Sequence, residues 1–155
     1  MRSMPATTRL FFGVVFISAV GWASQAYAQL GVGTWLRTDE HGKGITMTVE
    51  TCCGSGRRLT YDIPAMGGQP ASTLTVESPF DGTDVPALVG GKPSGETMAI
   101  KRVDDHHYTA VVKMSGKPYG TSSAVLSPDG KTLTVESVID MGGKQQKIIE
   151  TWVKQ

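Results

Sequence analysis

The sequence predicts an all-β protein whose antiparallel strands follow one another as an up-and-down meander and close into a barrel of about eight to nine strands. Apolar and polar residues alternate with a period of two along most of the chain after residue 28, which is typical of half-buried antiparallel strands. Clusters of Gly, Pro and Asp separate these stretches and supply turns. Closure into a barrel leaves a meander of this length without exposed edges.

The first four strands are predicted from the start of this region to residue 78. Residues 33–37 open it around Trp35, and in residues 45–50 the apolar Ile45, Met47 and Val49 alternate with polar residues. Leu59, Tyr61 and Ile63 alternate in residues 58–63, and Leu74 and Val76 in residues 72–78. One apolar face per strand is what a barrel interior requires.

Five more strands complete the predicted barrel. The clearest are residues 107–114, which place Tyr108, Ala110 and Val112 on one face. Residues 132–139 show the same alternation of apolar and polar residues, starting with the apolar Leu133. The remaining three, with a less regular pattern, are residues 96–102, 121–126 and 147–154.

Turn-forming residues join neighbouring strands. Residues 127–131 read Ser-Pro-Asp-Gly-Lys, a strong hairpin signal in which Pro fixes φ and Gly accepts a positive φ. Residues 140–144, 104–105 and 115–118 are further predicted turns.

Two stretches rich in Pro and Gly are predicted to be loops. Residues 64–71 and 79–94 flank the strand at residues 72–78. Long loops at the mouth of a barrel often carry function. An equally acceptable interpretation is that both are inert surface connections.

Residues 1–28 have the pattern of an export signal. Arg2 and Arg9 precede an apolar run of 14 residues, shorter than the roughly 20 needed for a membrane-spanning helix. The run ends before Ala26-Tyr27-Ala28, which predicts cleavage before Gln29. An uncut membrane anchor is the alternative interpretation.

The mature chain is expected to be one domain, residues 29–155, without a membrane span. Removing 28 of the 155 residues leaves 127, and loss of two Arg turns the net charge of +1 into −1. This charge gives no support for nucleic-acid binding, which depends on a basic excess. The predicted location is the periplasm or the medium, an oxidising environment. The sequence leaves the oligomeric state open.

The chain resembles a known family along nearly all of residues 33–155. Gly33-Thr34-Trp35 is similar to the opening of lipocalins and fatty-acid-binding proteins. Residues 80–86, 98–104, 126–135 and 151–155 resemble small exported bacterial lipocalin-like proteins. The resemblance implies a barrel whose closed end is plugged by Trp35 beside a basic residue such as Lys154, a small apolar ligand and no catalytic residues. The helical lid of fatty-acid-binding proteins is not expected, because residues 38–44 are too short and polar.

Cys52-Cys53 is the most unusual motif. Neighbouring strand residues point to opposite faces, and a bond between adjacent cysteines requires a distorted or cis peptide. The sequence therefore favours unpaired thiols, at least one of them partly buried. A vicinal disulfide, an intermolecular disulfide and a soft-metal or redox site stay open as alternatives.

Other chemistry finds little support in the sequence. His106 and His107 follow two Asp residues, but adjacent strand residues cannot both chelate one metal unless the turn bends them together, so a polar hairpin turn is predicted. His41 lies alone in a polar loop. No nucleophile elbow or phosphate-binding loop occurs. We therefore predict no metal site, no cofactor and no catalytic residues, although an enzyme is not excluded.

The candidate ligand-binding residues are four aromatic side chains. Trp35, Tyr61, Tyr108 and Trp152 fall on or near apolar strand faces. They either pack in the core or line a cavity in which the tyrosine hydroxyls orient a ligand. The leading hypothesis is an exported barrel that binds a small apolar or amphipathic molecule. The alternatives are an envelope-associated structural protein with a filled core, and a thiol-based metal or redox protein that uses Cys52 and Cys53.

Overall fold

The computed structural model describes residues 29–155 as a closed antiparallel barrel. Each strand pairs with the next, and the last pairs with the first. Its ten strands are β1 (Gly33–Arg37), β2 (Thr46–Cys52), β3 (Gly56–Ile63), β4 (Ser72–Ser78), β5 (Asp81–Val89), β6 (Lys92–Arg102), β7 (His107–Met114), β8 (Lys117–Leu126), β9 (Thr132–Asp140) and β10 (Gln145–Lys154).

The predicted fold class is confirmed. Residues 29–155 contain no helix, and the strands form an up-and-down meander, with ten strands instead of the predicted eight to nine. Closure takes place where β1 meets β10, with Trp35 opposite Lys154 and Arg37 opposite Trp152. The predicted signal peptide, residues 1–28, lies outside the described residues.

The tenth strand comes from a stretch that the sequence predicted to be a loop. Within residues 79–94, β5 forms and pairs with an early extension of β6. Pro86 lies inside β5, opposite Thr97, and the pairing shifts register immediately afterwards, between Pro86 and Leu88. Proline is tolerated in a strand at such irregularities, so the loop prediction was wrong here. Residues 64–71 do connect β3 and β4 outside any strand.

The N-terminal segment, residues 29–32, closes one end of the barrel, which we call the plugged end. The backbone N–H of Leu30 donates to the Tyr108 hydroxyl on β7 (2.9 Å), and its carbonyl accepts from Nε of Arg57 on β3 (3.1 Å). The indole Nε1–H of Trp35 donates to the Gly31 carbonyl (3.1 Å). Because these partners come from three different strands, the segment is fastened across the barrel and places Leu30, 5% exposed, inside it.

The tightest core lies next to this plug. Trp35 is 0% exposed, and the neighbouring inward faces of several strands are also buried. The buried hydrophobic residues are Leu30, Trp35, Ile45, Met47, Val49, Leu59, Val76, Ala87, Ile100, Tyr108, Leu126, Leu133 and Trp152.

Within residues 29–155 there is no helix with the length and the apolar character needed to cross a membrane.

Candidate functional site

The lumen contains a cavity of about 230 Å³. Its floor includes Leu30 of the plug and Tyr108, and its wall is formed by inward residues of β2 to β4 and β6 to β10. This volume is slightly below the ~300–1,000 Å³ of pockets for drug-sized ligands, so it suits a small molecule. The apolar lining residues are Leu30, Met47, Leu59, Leu74, Phe80, Met98, Ile100, Ala110, Val112, Ala124, Leu133, Val135 and Ile139.

Three of the four predicted aromatic residues line this cavity. Tyr61 and Trp152 meet edge to face, with ring centroids 5.6 Å apart, and Tyr108 meets Phe80 in the same way at 5.6 Å. Such contacts fix the rings and preserve the shape of the wall. The fourth, Trp35, lies in the tight core beside the plug and is not among the lining residues.

A charged cluster borders the cavity beside Trp152. Arg37 donates through Nε and Nη2 to the two carboxylate oxygens of Asp39 (2.6 and 3.0 Å), and its Nη1 lies 3.1 Å from Oε1 of Glu150. The second oxygen of Glu150 accepts from the Trp152 indole N–H (3.0 Å). Glu150 also lines the cavity. One arginine thus faces two carboxylates, and the cluster carries a net negative charge when all three are ionised.

The ionisation of this cluster follows from its contacts. The hydrogen bond from Arg37 holds the pKa of Asp39 below its ordinary value, although partial burial opposes the shift. Burial alone would lower the pKa of Arg37, but its hydrogen bond to Asp39 and the charges of Glu150 and Asp39 raise it. Both groups therefore stay charged at neutral pH, and the guanidinium is fixed in place as a bidentate pair.

The hydroxyl of Tyr61 is an unused polar group in the cavity wall. It forms no hydrogen bond within residues 29–155, and the ring is half-buried. Burial, followed by the negative charge of Glu150, raises the pKa of this phenol. The neutral hydroxyl can therefore donate to or accept from a bound molecule.

Hydroxyls lie on β8 and β9 as well. Ser122 and Ser137 face each other in the lumen with their oxygens 2.8 Å apart. Tyr119, where the pairing of β7 with β8 shifts register, donates its hydroxyl proton to the Glu96 carboxylate. The cavity is thus mostly apolar with a few polar groups, the composition that binding pockets show.

Tyr119 is expected to titrate with a pKa of about 12, because burial and its hydrogen bond to the Glu96 carboxylate both disfavour the phenolate. The pKa values of Tyr61 and Tyr108 are raised as well, so a spectrophotometric titration of tyrosinate should show more than one late phase, and Tyr119→Phe should remove the one near pH 12. In Glu96→Gln this phase should move towards the ordinary tyrosine range. A phase near pH 12 whose amplitude is the same in Tyr119→Phe and the wild type would contradict the assignment to Tyr119.

Cys52 and Cys53 are bonded to each other at the end of β2. The sequence favoured unpaired thiols, so this expectation is wrong: the structure shows one of the alternatives, the vicinal disulfide. The described residues contain no cis peptide bond, and Cys53 adopts a positive φ of 53° at the turn into β3. The prediction assumed that both cysteines lie in an extended strand. The turn at Cys53 instead gives the backbone a conformation that accommodates the bond.

The Asp-Asp-His-His stretch forms a polar hairpin turn. Oδ1 of Asp104 accepts from the backbone N–H groups of His106 and His107 (2.8 and 2.9 Å) and lies 2.7 Å from Nδ1 of His107. These contacts, the His106 backbone bond first, lower the pKa of Asp104. Within residues 29–155, no three His, Cys, Asp or Glu side chains are grouped so that they could hold a metal ion.

Sequence reasoning missed the charged half of the site. Glu150 lies two residues before Trp152 and therefore on the same inward face of β10. Arg37 stands in the same relation to Trp35 on β1. This spacing was the available signal, but charged residues in a strand pattern are usually assigned to solvent.

No protein-family model matches this chain, and no curated protein matches it. The functional argument therefore depends on the barrel, the cavity and the residues that line it.

Proposed function

We propose that the protein is an exported lipocalin-like barrel that binds a small apolar or amphipathic molecule in its lumen. The observation that carries the proposal is the cavity of about 230 Å³ with its largely apolar lining. Burying an apolar ligand in such a space is favourable at roughly 25 cal/mol per Å² of surface removed from water. Fixed aromatic rings and a few polar groups supply orientation.

The cavity also weighs against a purely structural barrel. A protein with a filled core would bring side chains into contact throughout the lumen, since protein interiors are close-packed. Here the inward faces of β7 and β8 carry only a methyl group at Ala110 and Ala124 and a hydrogen atom at Gly120. Small residues at these positions leave room that larger apolar residues could have filled.

Export is part of the proposal and has two supports. The first is the signal-like pattern of residues 1–28 with its expected cleavage before Gln29. The second is the bond between Cys52 and Cys53, which suits an oxidising compartment such as the periplasm or the medium. Bonded cysteines also disfavour a thiol-based metal site, because metal ligation needs thiolates.

Octanol, an uncharged amphipathic probe, is expected to bind the wild-type protein, and Ala110→Phe should abolish this binding. Ala110 lies on the cavity wall between Ile100 of β6 and Ser122 of β8, so a phenyl ring there would occupy the ligand's volume. Isothermal titration calorimetry measures the affinity, and thermal unfolding checks that the variant folds.

Val111→Phe is the matched control. Val111 follows Ala110 on β7, and its side chain therefore points out of the barrel. It should bind octanol like the wild type. Absence of octanol binding to the wild-type protein, or equal binding by Ala110→Phe, would contradict a lumenal site.

A further inference from the structure

We propose that the ligand of this cavity carries a cationic ammonium head group, which lies against Glu150. The inference rests on the proposed function, because it names the chemical class of the molecule that the lumen would hold. The geometry points to a cation instead of the carboxylate of a fatty acid.

The first argument is the charge of the lining. Glu150 is the one charged side chain among the described residues that line the cavity, and its side chain keeps 25% of its surface exposed. A carboxylate in a largely apolar wall attracts a cation more strongly than it would in bulk water, because the local dielectric is lower. The same charge repels an anionic head group.

The second argument is that the nearest cation is already engaged. All three guanidinium nitrogens of Arg37 have carboxylate partners: Nε and Nη2 face Asp39, and Nη1 faces Glu150. Two carboxylates already offset the charge of this guanidinium, and Arg37 is not among the residues that line the cavity, so it offers an incoming carboxylate little compensation. An anionic ligand therefore finds repulsion at Glu150 and an occupied arginine behind it.

The third argument is that Glu150 keeps acceptor capacity. Each of its oxygens has one protein partner, Nη1 of Arg37 for Oε1 and the Trp152 indole N–H for Oε2. An ionised carboxylate offers about four lone-pair sites, so acceptors remain for an N–H donor from the cavity. The Tyr61 hydroxyl, which forms no hydrogen bond within residues 29–155, is a further acceptor on the same wall.

Aromatic rings complete the environment for a cation. Tyr61 and Trp152 meet at 66° beside Glu150, and Trp152 already lies 6.0 Å from the guanidinium carbon of Arg37. Ring faces attract ammonium groups within about 6 Å. The alkyl portion of the ligand would then extend along the apolar lining towards Leu30 of the plug.

Three probes with the same alkyl chain test the inference: octylamine, octanol and octanoate, each titrated calorimetrically into the wild-type protein at neutral pH and one ionic strength. We expect octylamine to bind at least about tenfold more tightly than octanoate. The ammonium group gains a charge-assisted hydrogen bond to Glu150, whereas the carboxylate of octanoate is repelled by it. Equal affinity, or tighter binding of octanoate, overturns the inference while octanol binding leaves the proposed function intact. If none of the three binds, octanol included, the proposed function fails as well.

Glu150→Gln is expected to weaken octylamine binding about tenfold and to weaken octanol binding much less, because the amide removes the charge that only the ammonium group uses. Glu136→Gln is the matched control: Glu136 lies on the outer face of β9, where it pairs with Lys147 at 2.8 Å, and its loss should change none of the affinities. An octylamine affinity that is the same in Glu150→Gln and wild type overturns the assignment of the head group to Glu150. The wild-type comparison of the three probes needs no variant and decides the charge preference even if Glu150→Gln does not fold.

Discussion

Trp35→Ala is expected to lower the free energy of unfolding by about 4 kcal/mol, in the range that removal of a buried tryptophan costs. Trp35 is 0% exposed, and its indole N–H donates to the carbonyl of Gly31 in the plug. The substitution therefore leaves a large hole in the tightest part of the core and releases one of the contacts that hold residues 29–32. A loss of this size is a large fraction of the ~5–15 kcal/mol by which domains are stable.

The measurement is urea-induced unfolding followed by circular dichroism, with Val125→Ala as the control. Val125 is 47% exposed on the outer face of β8, so its truncation should change the stability by less than about 0.5 kcal/mol. Trp35→Phe should fall between the two, because the phenyl ring fills part of the space but cannot donate to Gly31. If Trp35→Ala and Val125→Ala unfold at the same urea concentration, the central place given to Trp35 is wrong.

The strand pattern could be predicted because a closed barrel imposes one rule on nearly every residue. Inward and outward positions alternate, so the apolar side chains of Leu74 and Val76, or of Tyr108 and Ala110, mark strands at residues 72–78 and 107–114, with the bounds that β4 and β7 have. The failure at β5 has a physical reason as well. Pro86 suggests a break, but the local shift in pairing with β6 accommodates it.

The site could be predicted only in its apolar half. Aromatic residues on apolar faces are expected inside, and Tyr61, Tyr108 and Trp152 do line the cavity. Glu150 and Arg37 share those inward faces, but their pairing depends on β10 closing against β1, a contact between the two ends of the chain. Local sequence carries no information about a contact of such separation, so the charged wall appears only when the barrel is assembled.

The plug likewise depends on long-range contacts. Residues 29–32 have no strand pattern, yet Leu30 is buried because Arg57 and Tyr108, from two distant strands, bind its backbone. Satisfying these backbone groups removes the cost of burying them unpaired. A short segment thus closes one end of the lumen.

Gly56→Ala is expected to lower the free energy of unfolding by about 3 kcal/mol, at the upper end of what overpacking costs. A Cβ atom at Gly56 would lie 2.1 Å from the carbonyl oxygen of Ser78 and 2.6 Å from Cα of Pro79, so the backbone of β4 and the turn after it would have to move. Ser78 is itself fully buried and cannot yield outwards. Gly56 opens β3, and glycine is required there because the backbone at the end of β4 approaches it so closely.

Gly120→Ala separates this effect from the general cost of replacing a strand glycine. Gly120 is buried on β8, has no positive φ, and its added Cβ would meet its nearest atom, Cγ1 of Ile139, at an ordinary 3.6 Å. Alanine should therefore be tolerated there, because the backbone needs no special conformation and the methyl group enters free space in the lumen. The measurement is urea-induced unfolding of both variants and the wild type. Gly56→Ala should lower the midpoint urea concentration far more than Gly120→Ala does. Equal shifts would show that β3 and the end of β4 can move apart easily, in spite of the 2.1 Å distance between the added Cβ and the Ser78 carbonyl oxygen.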